Sequence, residues 1–170
     1  ELLGLVTLLS AFVAVCNTVA YAHSRGVIHR DLKGENVLLG DFGEVIVLDW
    51  GVAKMVGAPE EGAPLLGSSH LAAEPDRTVQ GDVVGTPAYM APEQAIGRPV
   101  DARADQYALG IVAFELLTGR TPFRSESPFA ILDKHLREAP PPPSSFVPNL
   151  PPEVDAVLAK ALSKQPQERF

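Results

Sequence analysis

Four side chains between residues 31 and 49 have the types and spacing to assemble a reaction centre: Asp31, Lys33, Asn36 and Asp49. The stretch reads Val27-Ile28-His29-Arg30-Asp31-Leu32-Lys33-Gly34-Glu35-Asn36-Val37-Leu38-Leu39 and then, after a short turn, Val45-Ile46-Val47-Leu48-Asp49-Trp50-Gly51. Two apolar β-prone runs, Val37 to Leu39 and Val45 to Leu48, flank Gly40-Asp41-Phe42-Gly43-Glu44, whose glycines and aspartate suit a hairpin turn. Such a hairpin brings Asp31 and Asn36, on the loop entering it, close to Asp49 on the loop leaving it. A carboxylate, an amide and a second carboxylate offer the hard oxygen ligands that suit Mg²⁺, a cation held by one or two protein groups together with substrate phosphates. With Asp31 as a base and Lys33 as a phosphate-neutralising cation, these are the parts that phosphoryl transfer needs, because that chemistry depends on positioning and charge stabilisation. Taken singly, Asp-Trp-Gly reads as a turn and His-Arg-Asp as surface; their order and spacing favour the chemical reading.

The elements that position these residues follow from periodicity and punctuation. Leu2 to His23 contains no formally charged residue and is long enough to pass as a membrane span. Polar Thr7, Ser10, Asn17, Thr18 and Tyr21 interrupt it, and Leu5, Leu8, Leu9, Phe12, Cys16, Val19 and Ala20 recur at helical spacing, so a buried soluble helix is favoured. It should end near Ser24-Arg25-Gly26. From Met55 the chain turns rich in Gly, Pro and Ser without a sustained period, which predicts a long mobile loop up to Glu93. Asp101-Ala102-Arg103-Ala104-Asp105 then opens a helix apolar around most of its circumference and closed by Gly119. Ser127-Pro128 starts a short helix, Pro140 to Pro143 forms an extended connector, and Pro151-Pro152-Glu153 starts another helix with Val154, Val157, Leu158, Ala161 and Leu162 on one face.

Composition bounds the function classes. With 46% hydrophobic residues, 170 residues can bury one domain-sized core. A net charge of -7 argues against a general nucleic-acid or anionic-membrane binder. The single cysteine, Cys16, rules out an internal disulfide and fits a reducing cytoplasm.

The stretch His29-Arg30-Asp31-Leu32-Lys33-Gly34-Glu35-Asn36 resembles the H-R-D-L-x-x-x-N catalytic loop of eukaryotic-like (Hanks-type) protein kinases, Asp49-Trp50-Gly51 resembles D-F-G, and Ala91-Pro92-Glu93 matches A-P-E. Lys33 and Gly85-Thr86-Pro87-Ala88-Tyr89-Met90-Ala91-Pro92-Glu93-Gln94 are similar to the bacterial Ser/Thr branch. The resemblance implies a catalytic loop over 29–36, an activation segment over 49–93, and transfer of the γ-phosphoryl group of ATP to Ser/Thr hydroxyls of protein substrates. It implies that Asp31 handles the hydroxyl proton, Lys33 neutralises the transferred phosphate, and Asn36 and Asp49 ligate Mg²⁺. Glu35 and Leu38 join the nucleotide site, Leu38 as its apolar floor, and Thr86 lines the site for the substrate backbone. His29 is structural, Glu93 pairs with Arg169, and Asp105 anchors the backbone of the catalytic loop; a carboxylate stabilised by a helix dipole is the alternative for Asp105. Arg30 and Lys54 are expected to receive a phosphate on Thr78, the regulatory site, with Ser68 and Ser69 as rivals.

No glycine-rich phosphate loop, lysine-bearing strand or partner glutamate is recognisable. The expected fold is therefore mainly α with a small β-hairpin: residues 1–170 as a partial kinase domain, the C-terminal lobe of the α+β kinase fold with the N-lobe absent. Such a fragment is expected to be inactive by itself, to have its missing N-lobe as a partner alongside protein substrates, and to be cytoplasmic with no nucleic acid and no membrane contact from this segment. A parent protein anchored elsewhere is compatible with that. A non-catalytic kinase-like scaffold is the alternative function, and a membrane-anchored segment remains the third reading.

Overall fold

The computed structural model describes residues 2–52, 54–55 and 87–170. Helix α1 (Leu2–Ser24) leads into strand β1 (Val27–Ile28) and the loop carrying residues 29–36; strands β2 (Val37–Leu39), β3 (Val45–Val47) and β4 (Lys54–Met55) follow. The C-terminal half holds α2 (Pro92–Ala95), α3 (Ala102–Thr118), α4 (Pro128–Arg137) and α5 (Pro152–Ala161). Helix α1 is closed by Arg25 and Gly26, whose N–H groups donate to the carbonyls of Ala22 and His23 at 3.0 and 2.9 Å. Gly26 takes a φ of 75°, a conformation that glycine adopts without the penalty a Cβ would bring.

Strands β2 and β3 pair antiparallel, Val37 opposite Val47, Leu38 opposite Ile46 and Leu39 opposite Val45. The turn between them is tied by the Gly40 N–H donating to the Glu44 carbonyl at 2.8 Å. The expectation of a single small hairpin is corrected by a second ladder: β1 and β4 pair antiparallel, Val27 opposite Met55 and Ile28 opposite Lys54. Two-residue strands are too short to show a period, so this pairing leaves no signal in the sequence. It brings the chain leaving the Asp49 loop back beside the entry to the 29–36 loop.

Helix α3 lies at the centre, with Ala104, Tyr107, Ile111 and Phe114 buried at 1% exposure or less. Its N-cap, Asp101, accepts the Arg103 N–H at 2.9 Å, and Gly119 ends it with φ 71° while donating to the Glu115 carbonyl. Midway along, a Cβ on Gly110 would stand 3.0 Å from the Leu162 side chain and 3.1 Å from Ala161. The absent side chain is what lets α5 approach so closely. On one flank Ala104, Tyr107 and Ile111 pack with Ala91 and Leu162; on the other Ala108 joins Val15, Val19, Leu32 and Val47. Ser127 precedes α4 without capping it through its hydroxyl, so Pro128 at the first position is the part of that start signal the structure uses.

Helix α1 departs from the expectation of a buried helix. Val15 and Val19 are buried, but Val6, Leu8, Leu9 and Val13 are 52, 42, 39 and 56% exposed. The main described neighbours of α1 are β1, β3 and α3, and together they cover only one of its faces. Gly4–Ser24 is long and apolar enough to cross a membrane by length and composition, with a mean hydropathy of 1.9. Its fixed points are Val15 and Val19, each contributing about 1.5–3 kcal/mol by burial, and His23, whose Nε2 lies 2.7 Å from Asp105 Oδ2.

A buried polar pair joins α3 to α4. The Tyr107 hydroxyl lies 2.8 Å from His135 Nδ1, and the Phe123 ring meets the imidazole edge-on at 4.9 Å. Burial, then the positive charge of Lys164, push the His135 pKa down to about 4. The unfolded chain protonates this histidine near pH 6.5 and the folded chain only near 4. The stabilisation is therefore complete above about pH 6.5 and is lost as pH falls through 4, amounting to about 3 kcal/mol. Urea unfolding across that window should show this loss in the wild type and a flatter profile in His135→Asn; equal slopes would contradict the assignment.

Candidate active site

The loop before β2 takes its shape from α3. Asp105, 1% exposed, accepts the His29 N–H through Oδ2 and the Arg30 N–H through Oδ1, both at 2.9 Å. With His23 at 2.7 Å, one carboxylate organises three donors. Arg30 needs such support because its φ is 74°, and Asp49 shares the feature at 61°. A non-glycine residue in this region costs about 1–3 kcal/mol and persists where the surroundings over-determine it.

His29, fully buried, links the two loops. Its Nε2–H donates to the Leu48 carbonyl at 2.9 Å, and its Nδ1 accepts the Asp31 N–H at 3.3 Å; these two bonds select the tautomer. The ring sits 4.5 Å from that of Trp50, and Trp50 Nε1 donates to the Val47 carbonyl at 3.0 Å. Asn36 adds a second crosslink. Its Nδ2 donates to the Asp31 carbonyl, and its own carbonyl accepts the Leu48 N–H, both at 2.8 Å. The backbone at Asp31, Asn36 and Leu48 therefore forms one hydrogen-bonded unit, from which Asp49 follows directly. Lys33 Nζ lies 3.1 Å from Asp31 Oδ2, placing a cation beside the carboxylate proposed as base.

Among the described residues no group of three or more His, Cys, Asp or Glu side chains is arranged for a metal. The donor set on hand fits a different arrangement. Because Nδ2 of Asn36 is used on Asp31, its Oδ1 is the remaining ligand atom, and Asp49 is exposed on the adjoining loop. An amide oxygen and a carboxylate suit Mg²⁺ completed by water and phosphate oxygens.

Leu38 is 50% exposed, and Glu35 is also open to solvent on the 3₁₀ turn Gly34–Asn36. Arg30 Nε is buried with no hydrogen-bond partner among the described residues. The backbone of Lys54 lies in β4 opposite Ile28. Thr78 and Thr86 lie outside the described residues, as do Ser68 and Ser69. Glu93 and Arg169 meet in two parallel bonds of 2.7 and 2.8 Å, with the arginine side chain fully buried. Arg169 also donates to the carbonyls of Ser163, Arg103 and Lys164, so all five guanidinium N–H groups are used.

Sequence reasoning passed over three contributors. His23 lies in the last turn of α1, where a histidine reads as a dipole-compensating end residue, and Gln94 bridges Ala91 to Arg30. Tyr89 donates to Glu115 at 2.5 Å; burial first, then that hydrogen bond and the charges of Glu115 and Glu35, raise its pKa. Of these only Gln94 leaves a local signal, a side chain of the capping type three residues after the position it caps.

The family described as "Protein kinase domain" matches residues 7–170. The chain belongs to the protein kinase domain family. Similar curated proteins include the serine/threonine-protein kinase Pkn1 of Myxococcus xanthus, 44% identical over 165 residues, which are 95% of this chain and 22% of that protein. PknD of Protochlamydia amoebophila is 47% identical over 122 residues, 71% of this chain and 12% of that protein. The probable kinase PknB of Corynebacterium glutamicum is 40% identical over 162 residues, 93% of this chain and 23% of that protein. This kinase domain is thus of the bacterial Hanks type, and the chain spans about a fifth of the length of Pkn1 and PknB. The match takes in the strands at 27–47 as well as the helices after them. It overturns the expectation of a C-terminal-lobe fragment with the N-lobe absent. That expectation rested on unrecognised short motifs, a weaker criterion than a match running along the chain.

In this kinase domain the Asp105 anchor is open to test. Asp105→Asn leaves a single acceptor oxygen for the His29 and Arg30 N–H groups and turns an amide donor toward the other. We expect a loss of about 2–3 kcal/mol in urea unfolding, with faster amide exchange at His29 and Arg30. Unchanged exchange at both would contradict the anchoring role.

Proposed function

We propose that this chain belongs to a Ser/Thr protein kinase that transfers the γ-phosphoryl group of ATP to Ser or Thr hydroxyls on protein substrates. The observation that carries the reading is the cross-linked unit of Asp31, Asn36 and Leu48, which sets a carboxylate with a neighbouring lysine against the exposed Asp49. Kinases of this family generally use ATP and Mg²⁺, act on proteins, and are typically cytoplasmic; we assign all three to this protein.

In the proposed reaction a substrate hydroxyl attacks the γ-phosphorus as its bond to the ADP oxygen breaks, and the hydroxyl proton goes to the Asp31 carboxylate. Lys33 neutralises charge on the transferred group, and its 3.1 Å contact with Asp31 keeps both at one place. Asn36 and Asp49 hold Mg²⁺, which offsets charge on the phosphate oxygens when bound. Leu38 offers the adenine an apolar surface, Glu35 lies at the edge of the nucleotide site, and Thr86 lines the approach of the substrate. Catalysis rests mainly on positioning, and the positioning is supplied by His29, Asp105 and the Glu93–Arg169 pair.

For regulation, the same reading makes Arg30 and Lys54 the receivers of a phosphate on Thr78. The buried Arg30 Nε without a partner among the described residues supports it. A phosphothreonine brings about -1.5 to -2 charges and three acceptor oxygens, sufficient for charge-assisted bonds to both cations.

In the intact protein with Mg·ATP, Asp31→Asn should lower phosphotransfer about 10²–10⁴-fold while retaining nucleotide binding. Asp49→Asn should weaken Mg·ATP binding in calorimetry more than Asp31→Asn does. Equal losses of affinity contradict the separate roles, and a wild type without phosphotransfer favours a scaffold. Phosphopeptide mapping should place phosphate on Thr78, with Thr78→Ala less active; an unphosphorylated Thr78 in active enzyme rejects that site.

A further inference from the structure

The peptide groups on either side of Arg30 are held from three different parts of the fold. Asp105 Oδ1 accepts the Arg30 N–H at 2.9 Å, and His29 Nδ1 accepts the Asp31 N–H at 3.3 Å. The carbonyl between them, that of Arg30, accepts Gln94 Nε2 at 2.9 Å. The other end of the Gln94 amide is also fixed, because its Oε1 accepts the Ala91 N–H at 3.0 Å. With φ at 74°, Arg30 can relax toward ordinary backbone only by turning one of these peptide planes. The plane that Gln94 grips is the one that carries Asp31.

We propose that Gln94 is a positioning residue for Asp31: its Nε2–H donor locks the Arg30–Asp31 peptide and so aims the Asp31 carboxylate. This rests on the reading of Asp31 as the base for phosphoryl transfer. Gln94 reaches from a rigid platform. Its neighbour Glu93 is clamped by Arg169 at 2.7 and 2.8 Å, and the Glu93 carbonyl accepts the Arg98 N–H at 2.9 Å. Gln94 therefore couples the chain around Ala91-Pro92-Glu93 to the reacting group, across 64 residues of sequence.

The neutral amide is essential to this role. A glutamate at position 94 would still accept the Ala91 N–H, as acidic residues do at this place in capping boxes. It would also set a carboxylate oxygen against the Arg30 carbonyl, where a donor is required. Gln94→Glu thus separates capping of α2 from positioning of Asp31.

The experiment compares wild type, Gln94→Glu and Gln94→Ala in the intact protein. Both variants should lower kcat, by up to about 10²-fold if the reacting group moves by about 1 Å, with KM for ATP unchanged. Amide hydrogen exchange at Asp31 should accelerate in both, while the Ala91 amide, still capped in Gln94→Glu, should lose protection only in Gln94→Ala. A purely structural cap predicts wild-type kcat in Gln94→Glu, and that result overturns the proposal. Where the wild type itself transfers no phosphate, the kinase reading fails, and the exchange experiment decides separately: unchanged protection of the Asp31 amide in Gln94→Glu overturns the clamp, and faster exchange upholds it.

Discussion

The carboxylate of Asp105 is where the helical core takes hold of the loop that carries the candidate chemistry. Buried on α3, it accepts the backbone of His29 and Arg30 and reaches His23 at the end of α1. A buried carboxylate is costly unless every oxygen is matched, and here three donors converge on two oxygens. Arg30 can then keep a left-handed backbone that a residue with a Cβ disfavours. Everything downstream, from the His29–Leu48 bond to the Asn36–Asp31 bond, presupposes that the loop has this course.

A second buried charge serves a different end. The guanidinium of Arg169 gathers Glu93 and the carbonyls of Arg103, Ser163 and Lys164, and lies over the Tyr107 ring at 4.8 Å. Breaking such a pair leaves an uncompensated buried charge, at a cost of about 3–5 kcal/mol. It fixes the start of α2 and the start of α3 relative to the chain after α5. The two buried ions act on different parts of the fold, Asp105 shaping the loop and Arg169 holding the frame from which α2 meets it.

The candidate site residues Asp31, Lys33, Asn36 and Asp49 could be picked out because they sit in one local stretch, at spacings that a hairpin brings together. The hairpin itself was legible from Gly40 to Glu44 between two β-prone runs. The β1–β4 ladder was not, since strands of two residues carry no period. Nor was the partial exposure of α1, because hydropathy reports what a helix can bury and not how many neighbours it meets. Gln94 escaped notice for the same kind of reason: its partner is a backbone carbonyl that no side-chain pattern advertises. The expectation of an absent N-lobe came from counting unrecognised motifs, and the family match along residues 7–170 overturns it.

The bonds that shape the loop have one further property, the distance along the chain between their ends. His23, His29 and Arg30 reach Asp105 across 82, 76 and 75 residues, whereas the β2–β3 hairpin closes over a few. Contacts that distant follow the local ones in folding, because the intervening chain must close first. During synthesis at about 5–20 residues per second, roughly 4–15 s separate the appearance of Arg30 from that of Asp105. Through that interval the nascent polypeptide holds the residues of the candidate site without the anchor that shapes their loop, so the strained loop is a late product of assembly and not a seed for it.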